Sequence, residues 1–147
     1  MTVKSLYWEE VTEGDELPSH HREITRTTIV ATAIASRDFQ PVHHDHEAAQ
    51  KEGAKDIFLN ILSTGGFVGK FLTEWTGPEG ELKKVTIKLG ATVFPGDTLT
   101  AGGKVVRKYE EEGQHRVDVE YHFSVAMGPH AWGTATMALP VKGQAAR

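Results

Sequence analysis

Between Asn60 and Gly77 the apolar side chains recur at helical spacing, and from Leu82 onward they recur at every second position. This change of period constrains the fold more than any other feature, because a helical stripe and half-buried strands in one small chain can hide their apolar faces only against each other. The helical set is Ile61, Leu62, Phe67, Val68, Phe71, Leu72 and Trp75. Gly65, Gly66 and Gly69 lie among them, and each would weaken an exposed helix by roughly 1 kcal/mol relative to alanine. The pattern predicts a buried central helix whose glycines let a neighbouring element pack closely, with Phe67, Phe71 and Trp75 in the core.

Downstream, Val85, Ile87 and Leu89 alternate with Thr86 and Lys88, "FPGD" turns the chain, and "TLTAGGKVVRKY" resumes an extended pattern. "EEEGQ" reads as a hairpin loop before the alternating Val117, Val119, Tyr121, Phe123 and Val125, and "MGPHA" predicts a turn ahead of a last strand, "WGTATMALPV". Long antiparallel strands after one central helix make an α+β domain with the antiparallel sheet wrapped around that helix. Periodicity alone leaves the hot-dog fold as one option among several.

Upstream, "REITRTT" reads as a short strand entering a helix, "TIVATAIAS", capped by Thr27 or Thr28, with Ile29, Val30, Ala33 and Ile34 on one face. Pro41 then makes a turn, and Asp45 can cap a short helix, "HEAAQKE", that Gly53 would end. A chain of 147 residues suits one domain spanning 1–147. It has no cysteine, which removes disulfides, thiolate metal sites and sulfur redox chemistry and suits a reducing cytoplasm. No signal-peptide core follows Met1 and no long apolar run appears, so a soluble, cytoplasmic protein is expected. The net charge of −4, with basic residues scattered, leaves no footprint for nucleic acid or a membrane surface.

The stretch "SRDFQPVHHDHEAAQ" concentrates the polar chemistry. His43, His44, Asp45 and His46 have residue types that suit zinc, but consecutive side chains in a turn diverge and no ligand-pair spacing is present, so no metal is expected. His44 and His46 read as solvated, and Asp45 as a cap. Asp38 and His43 lie across the proline turn, which can bring an acceptor and an imidazole to one water. Spacing alone also allows both to be ordinary loop residues. On the later strands Lys104, Arg107 and Lys108 read as solvated, or as partners for an anionic ligand.

"IASRDFQPVHHDHEAA" resembles the signature of the MaoC-like, (R)-specific enoyl-CoA hydratases. Asp38, Pro41, Val42, His43, Asp45 and Ala49 fit it, whereas Arg37 stands for the usual Gly, Gln40 for Asn and His46 for Pro. The resemblance runs on through the apolar helix to "VFPGDTLTAGGKV", similar to the family's strand turn, and implies a single hot-dog domain. It implies addition of water across the trans-2 double bond of an enoyl-CoA, with Asp38 and His43 orienting the water and acting as base and acid. No cofactor beyond the CoA of the substrate is implied. Where the family usually has His-Gly-Met at the start of the buried helix, this chain has Asn60, Ile61 and Leu62. The backbone N–H of Ile61 would then polarise the thioester carbonyl, with Asn60 beside it as a substrate contact or a helix cap. "DIFLNIL" and its surroundings look most similar to small MaoC-like subunits of heteromeric hydratases acting on steroid side-chain CoA thioesters. That implies a second MaoC-like hot-dog subunit as partner, the alternative being a homodimer. Two other functions remain: a non-catalytic acyl-CoA-binding subunit, and a thioesterase using Glu74.

Overall fold

The structure, a computed structural model, describes residues 4–143, so the ends of the 1–147 domain span lie outside it. Six strands among the described residues form one antiparallel sheet in the order β1 (Glu16–Glu23), β4 (Thr98–Glu111), β5 (Gln114–Val125), β6 (Gly128–Ala138), β2 (Glu81–Val85). A two-residue strand, β3 (Lys88–Leu89), also pairs with β6. Strand β5 turns Val117, Val119, Tyr121 and Phe123 inward, all buried, as the period of two requires. At the β4–β5 hairpin Glu112 (φ 53) and Gly113 (φ 74) both adopt the left-handed conformation, the geometry of a two-residue turn whose twist matches the strands.

Helix α3 (Ile61–Thr76) lies on the inner face of this sheet. Val68 and Leu72 have no exposed surface, and the Phe71 ring meets Phe123 edge-on at 5.6 Å between centroids. Burying each such side chain stabilises the fold by about 1.5–3 kcal/mol. A polar pin joins helix and sheet: His130 Nδ1 donates to the Ala91 carbonyl at 2.6 Å, and the Thr64 hydroxyl meets Nε2 at 2.9 Å. Burial pushes the His130 pKa down, so the neutral imidazole is the form that holds this pin. The arrangement of sheet around helix is the hot-dog fold.

Five local expectations need correction. Helix α3 is buried on one face only, because it meets one sheet: Ile61 and Leu62 are 59% and 54% exposed. Its glycines do not serve close packing within the chain: a Cβ on Gly65 would only touch Ile87 at 3.9 Å, and Gly66 and Gly69 face open space. Helix α1 (Arg26–Ala35) starts before Thr27, since Thr25 has the extended backbone of a cap and its Oγ1 accepts the Thr28 N–H at 3.0 Å. The flanking strand is β1, which gave no periodic signal because only Leu17 is buried on this sheet edge. The last strand begins at Gly128 rather than Trp132; Pro129 is tolerated beside the register shift at Phe123 and Ser124. The short helix α2 (His46–Lys51) follows its expected cap, with Asp45 Oδ1 accepting from the Ala48 N–H at 3.1 Å.

Candidate active site

Three helix ends meet at Asp38. The C-terminus of α1 closes with the Arg37 N–H on the Ile34 carbonyl and the Asp38 N–H on the Ala33 carbonyl, each at 2.9 Å. This is the Schellman arrangement, and Arg37 takes the left-handed conformation it requires, φ 57. Glycine is favoured there because other side chains crowd the carbonyl, at a cost of about 1 kcal/mol. The Arg37→Gly variant should therefore raise stability by about 1 kcal/mol, read from its urea midpoint, and leave activity unchanged.

The proline turn, a short 3-10 segment Pro41–His43, swings His43 inward to 7% exposure. Its Nδ1 lies 2.8 Å from the Phe58 carbonyl, and since a carbonyl only accepts, Nδ1 carries the proton. The ring stands edge-on to Phe58 at 5.0 Å. That leaves Nε2 facing Asp38 Oδ2 at 3.4 Å, too long for a strong direct hydrogen bond and suited to sharing one small polar molecule.

The Asp38 carboxylate is held from two sides. Oδ1 accepts the Gln40 N–H at 3.3 Å, and Oδ2 accepts from Asn60 Nδ2 at 2.9 Å. The Asn60 bond, with smaller help from Gln40 and His43, keeps its pKa below the usual carboxylate range against the opposing effect of burial. Asn60 also caps α3, its Oδ1 accepting the Ser63 N–H at 3.0 Å. At 2% exposure, with Nδ2 also donating to Ser36 Oγ at 2.9 Å, it gives both amide hydrogens within the chain, and of the two roles expected of it the cap is the one seen. Ile61 is the first residue of α3, so its N–H is an orphan donor at the positive end of the helix, next to this pair.

The neighbouring polar residues go elsewhere. His46 Nδ1 pairs with Asp56 at 2.8 Å rather than with solvent, and His44 reaches the Phe39 carbonyl at 3.3 Å. Among the described residues no group of three or more His, Asp or Glu could hold a metal ion. Glu74 lies near the far end of α3 and pairs with Lys70. Lys108 is not simply solvated: its ammonium donates to the Trp8 and Val11 carbonyls at 2.8 and 2.6 Å.

Sequence reasoning missed Ser36, Asp56 and the Phe58 carbonyl. Asp56 receives His46, the Arg26 guanidinium and the Ile57 N–H, which pull its pKa down to about 2, and so ties α1 and α2 to the loop carrying Phe58. An Asp in a loop bears no mark of such distant partners, and a backbone acceptor has no sequence signal at all. The Ser36 position beside Asp38 was the one available hint.

An antiparallel sheet wrapped on one helix defines a hot-dog domain, and at that helix's N-terminus an aspartate and a histidine face each other. Residues 10–127 match the family described as "MaoC like domain", and the chain belongs to this family. A chain of the ChsH1-ChsH2 complex from Mycobacterium tuberculosis is 34% identical and superposes with a TM-score of 0.81, covering 87% of this chain and 98% of that one. The 3-oxo-4,17-pregnadiene-20-carboxyl-CoA hydratase beta subunit of M. tuberculosis is 47% identical over 79 residues, which is 54% of this chain and 61% of that protein. The fold is also that of the R-hydratase PhaJ1 from Pseudomonas aeruginosa, TM-score 0.81 at 21% identity over 94% of this chain and 88% of that one. Among the described residues no helix is long and apolar enough to cross a membrane.

Proposed function

We propose that this chain is the water-activating subunit of an enoyl-CoA hydratase. The observation that carries the reading is the 3.4 Å separation of Asp38 Oδ2 and His43 Nε2 beside the free N–H at the start of α3. A water bonded to both atoms from one side of the line joining them is oriented by both. Its oxygen bonds to Cβ of the enoyl thioester, one of its protons passes to the pair, and a proton from the pair goes to Cα, so the pair ends in its starting charge state. The thioester oxygen gains charge as Cβ is attacked, and the Ile61 N–H with the helix dipole behind it stabilises that charge. These steps call for no metal or further cofactor.

The substrate proposed is a bulky enoyl-CoA of the steroid side-chain class, and the partner a second MaoC-like chain. Support comes from the relative named as a beta subunit of a pregnadiene-carboxyl-CoA hydratase and from the similar chain solved within a two-component complex. The surface agrees: Ile34, Phe39, Ile61 and Leu62 are 58%, 65%, 59% and 54% exposed, and they lie next in sequence to the residues that hold the pair. Large apolar side chains at that density ask for a cover. The sheet also ends in two open edges, β1 and β2 with β3, which proteins of this kind protect by pairing.

The test measures loss of enoyl ultraviolet absorbance with a short and a steroid-sized enoyl-CoA, using the isolated chain and the chain coexpressed with a second MaoC-like subunit. Hydration of the steroid-sized substrate should appear, or rise at least about tenfold, with the partner. Full activity on it from the isolated homodimer would sink the heteromer, and inactivity in every combination would sink the hydratase.

A further inference from the structure

We propose that Asn60 is the positioning residue of this site: its side-chain amide, fixed by the N-terminus of α3 and by Ser36, holds Asp38 Oδ2 at a set point beside His43. The hydrogen bonds leave the amide one orientation. Ser36 Oγ donates to the Thr32 carbonyl at 2.8 Å, so towards Asn60 it accepts, and the group it accepts from is Nδ2. On the other side the Ser63 N–H can only donate, so the group that receives it is Oδ1. The Ser63 hydroxyl donates to the same oxygen. With Oδ1 turned to the helix and one Nδ2 hydrogen given to Ser36, the second points at Asp38 Oδ2, 2.9 Å away.

The consequence is a mechanical link between the helix end and the carboxylate. The Ile61 N–H, offered to the thioester oxygen in the reading above, and the Asp38 oxygen that would hold the water are both referenced to one buried side chain. A buried amide with all its hydrogen bonds made is rigid, and fixing two reacting groups in one frame is what raises an effective concentration. The same amide favours the ionised carboxylate over the acid, because a donor at 2.9 Å stabilises the charge. The titratable group facing Asp38 is His43 from the proline turn, while α1 and α3 present the uncharged Ser36 and Asn60.

The kinetic part of this inference rests on the hydratase reading; the titration part does not. Two variants separate the cap from the tether. Asn60→Ser keeps a good cap for the Ser63 N–H but carries no amide to reach Asp38, and Asn60→Asp keeps the size and the cap but turns an oxygen towards Asp38 Oδ2. The full-length chain, alone and with its partner subunit, is titrated by carboxyl 13C NMR, with Asp38→Asn assigning the resonance. The Asp38 midpoint should rise in Asn60→Ser, with a melting temperature close to the parent, and rise further in Asn60→Asp. In the assay the acid limb of kcat/KM should rise in parallel and kcat fall at least about tenfold, with KM little changed. An unshifted Asp38 midpoint in Asn60→Ser overturns the inference even if Asn60→Asp fails to fold, and so does a shifted midpoint with an unmoved rate profile. A shifted midpoint in a protein that turns over no enoyl thioester keeps the tether and discards the hydratase.

Discussion

Asp38→Asn and His43→Ala should each lower hydration by about 100- to 10,000-fold in kcat, the range for general acid or base groups, while the protein stays folded. Folding should survive Asp38→Asn because the backbone there is held by the Ala33 carbonyl and the substitution is isosteric. The amide oxygen can still accept from Asn60, so what is lost is the charge and the proton acceptor. His43→Ala removes more: the imidazole also holds the Phe58 carbonyl and packs against the Phe58 ring. Part of its loss would come from a loosened loop, and added imidazole separates the two causes, since it restores a proton-transfer group but not the loop contact. If both variants hydrate at close to the parent rate in the competent complex, Asp38 and His43 are not the acid and base.

Ile61→Pro should lower kcat by about 100- to 1,000-fold, the cost of one oxyanion donor, without destabilising the chain. Proline is well suited to the first residue of a helix, where its missing N–H breaks no helical bond. The residue before a proline must be extended, and Asn60 already is, at φ −81 and ψ 159. The side chain lost is 59% exposed, so little packing goes with it. Ile61→Ala is the matched control: it removes the same side chain and keeps the N–H, and it should retain most of the activity. Equal activity in Ile61→Pro and Ile61→Ala would exclude this donor from the reaction, and the Leu62 N–H would be examined in its place.

The site was legible in its residue types more than in its geometry. Asp38 and His43 were separable from His44 and His46 through the proline turn and the family signature, and from Asp45 through its place as a helix cap, and the turn does bring the two side chains together. Asn60 carried two expectations, a helix cap and a substrate contact, and the structure shows the cap. Its position at a helix start announces a cap, yet its tether to Asp38 depends on Ser36 and Asp38 arriving from another helix, which no local pattern encodes. Arg37 shows the reverse case: a departure from the signature that leaves the backbone conformation unchanged, since φ 57 is kept at an energetic cost.

By itself the sequence determined the sheet of β4, β5 and β6, the helix α3 and the cap of α2, because these depend on periodicity and on side chains reaching their own backbone neighbours. It could not determine β1, whose edge position exposes all but Leu17 and so erases the alternating pattern. Nor could it say which face of α3 is covered: Ile61 and Leu62 share the helical spacing of Val68 and Leu72 but lie outside the sheet. Burial depends on which surface the sheet reaches, and hydrophobicity records only that a residue gains from being covered, whether by its own chain or by another. The distance between Asp38 and His43 was likewise a tertiary outcome, set by the Phe58 carbonyl on one side and the Asn60 amide on the other.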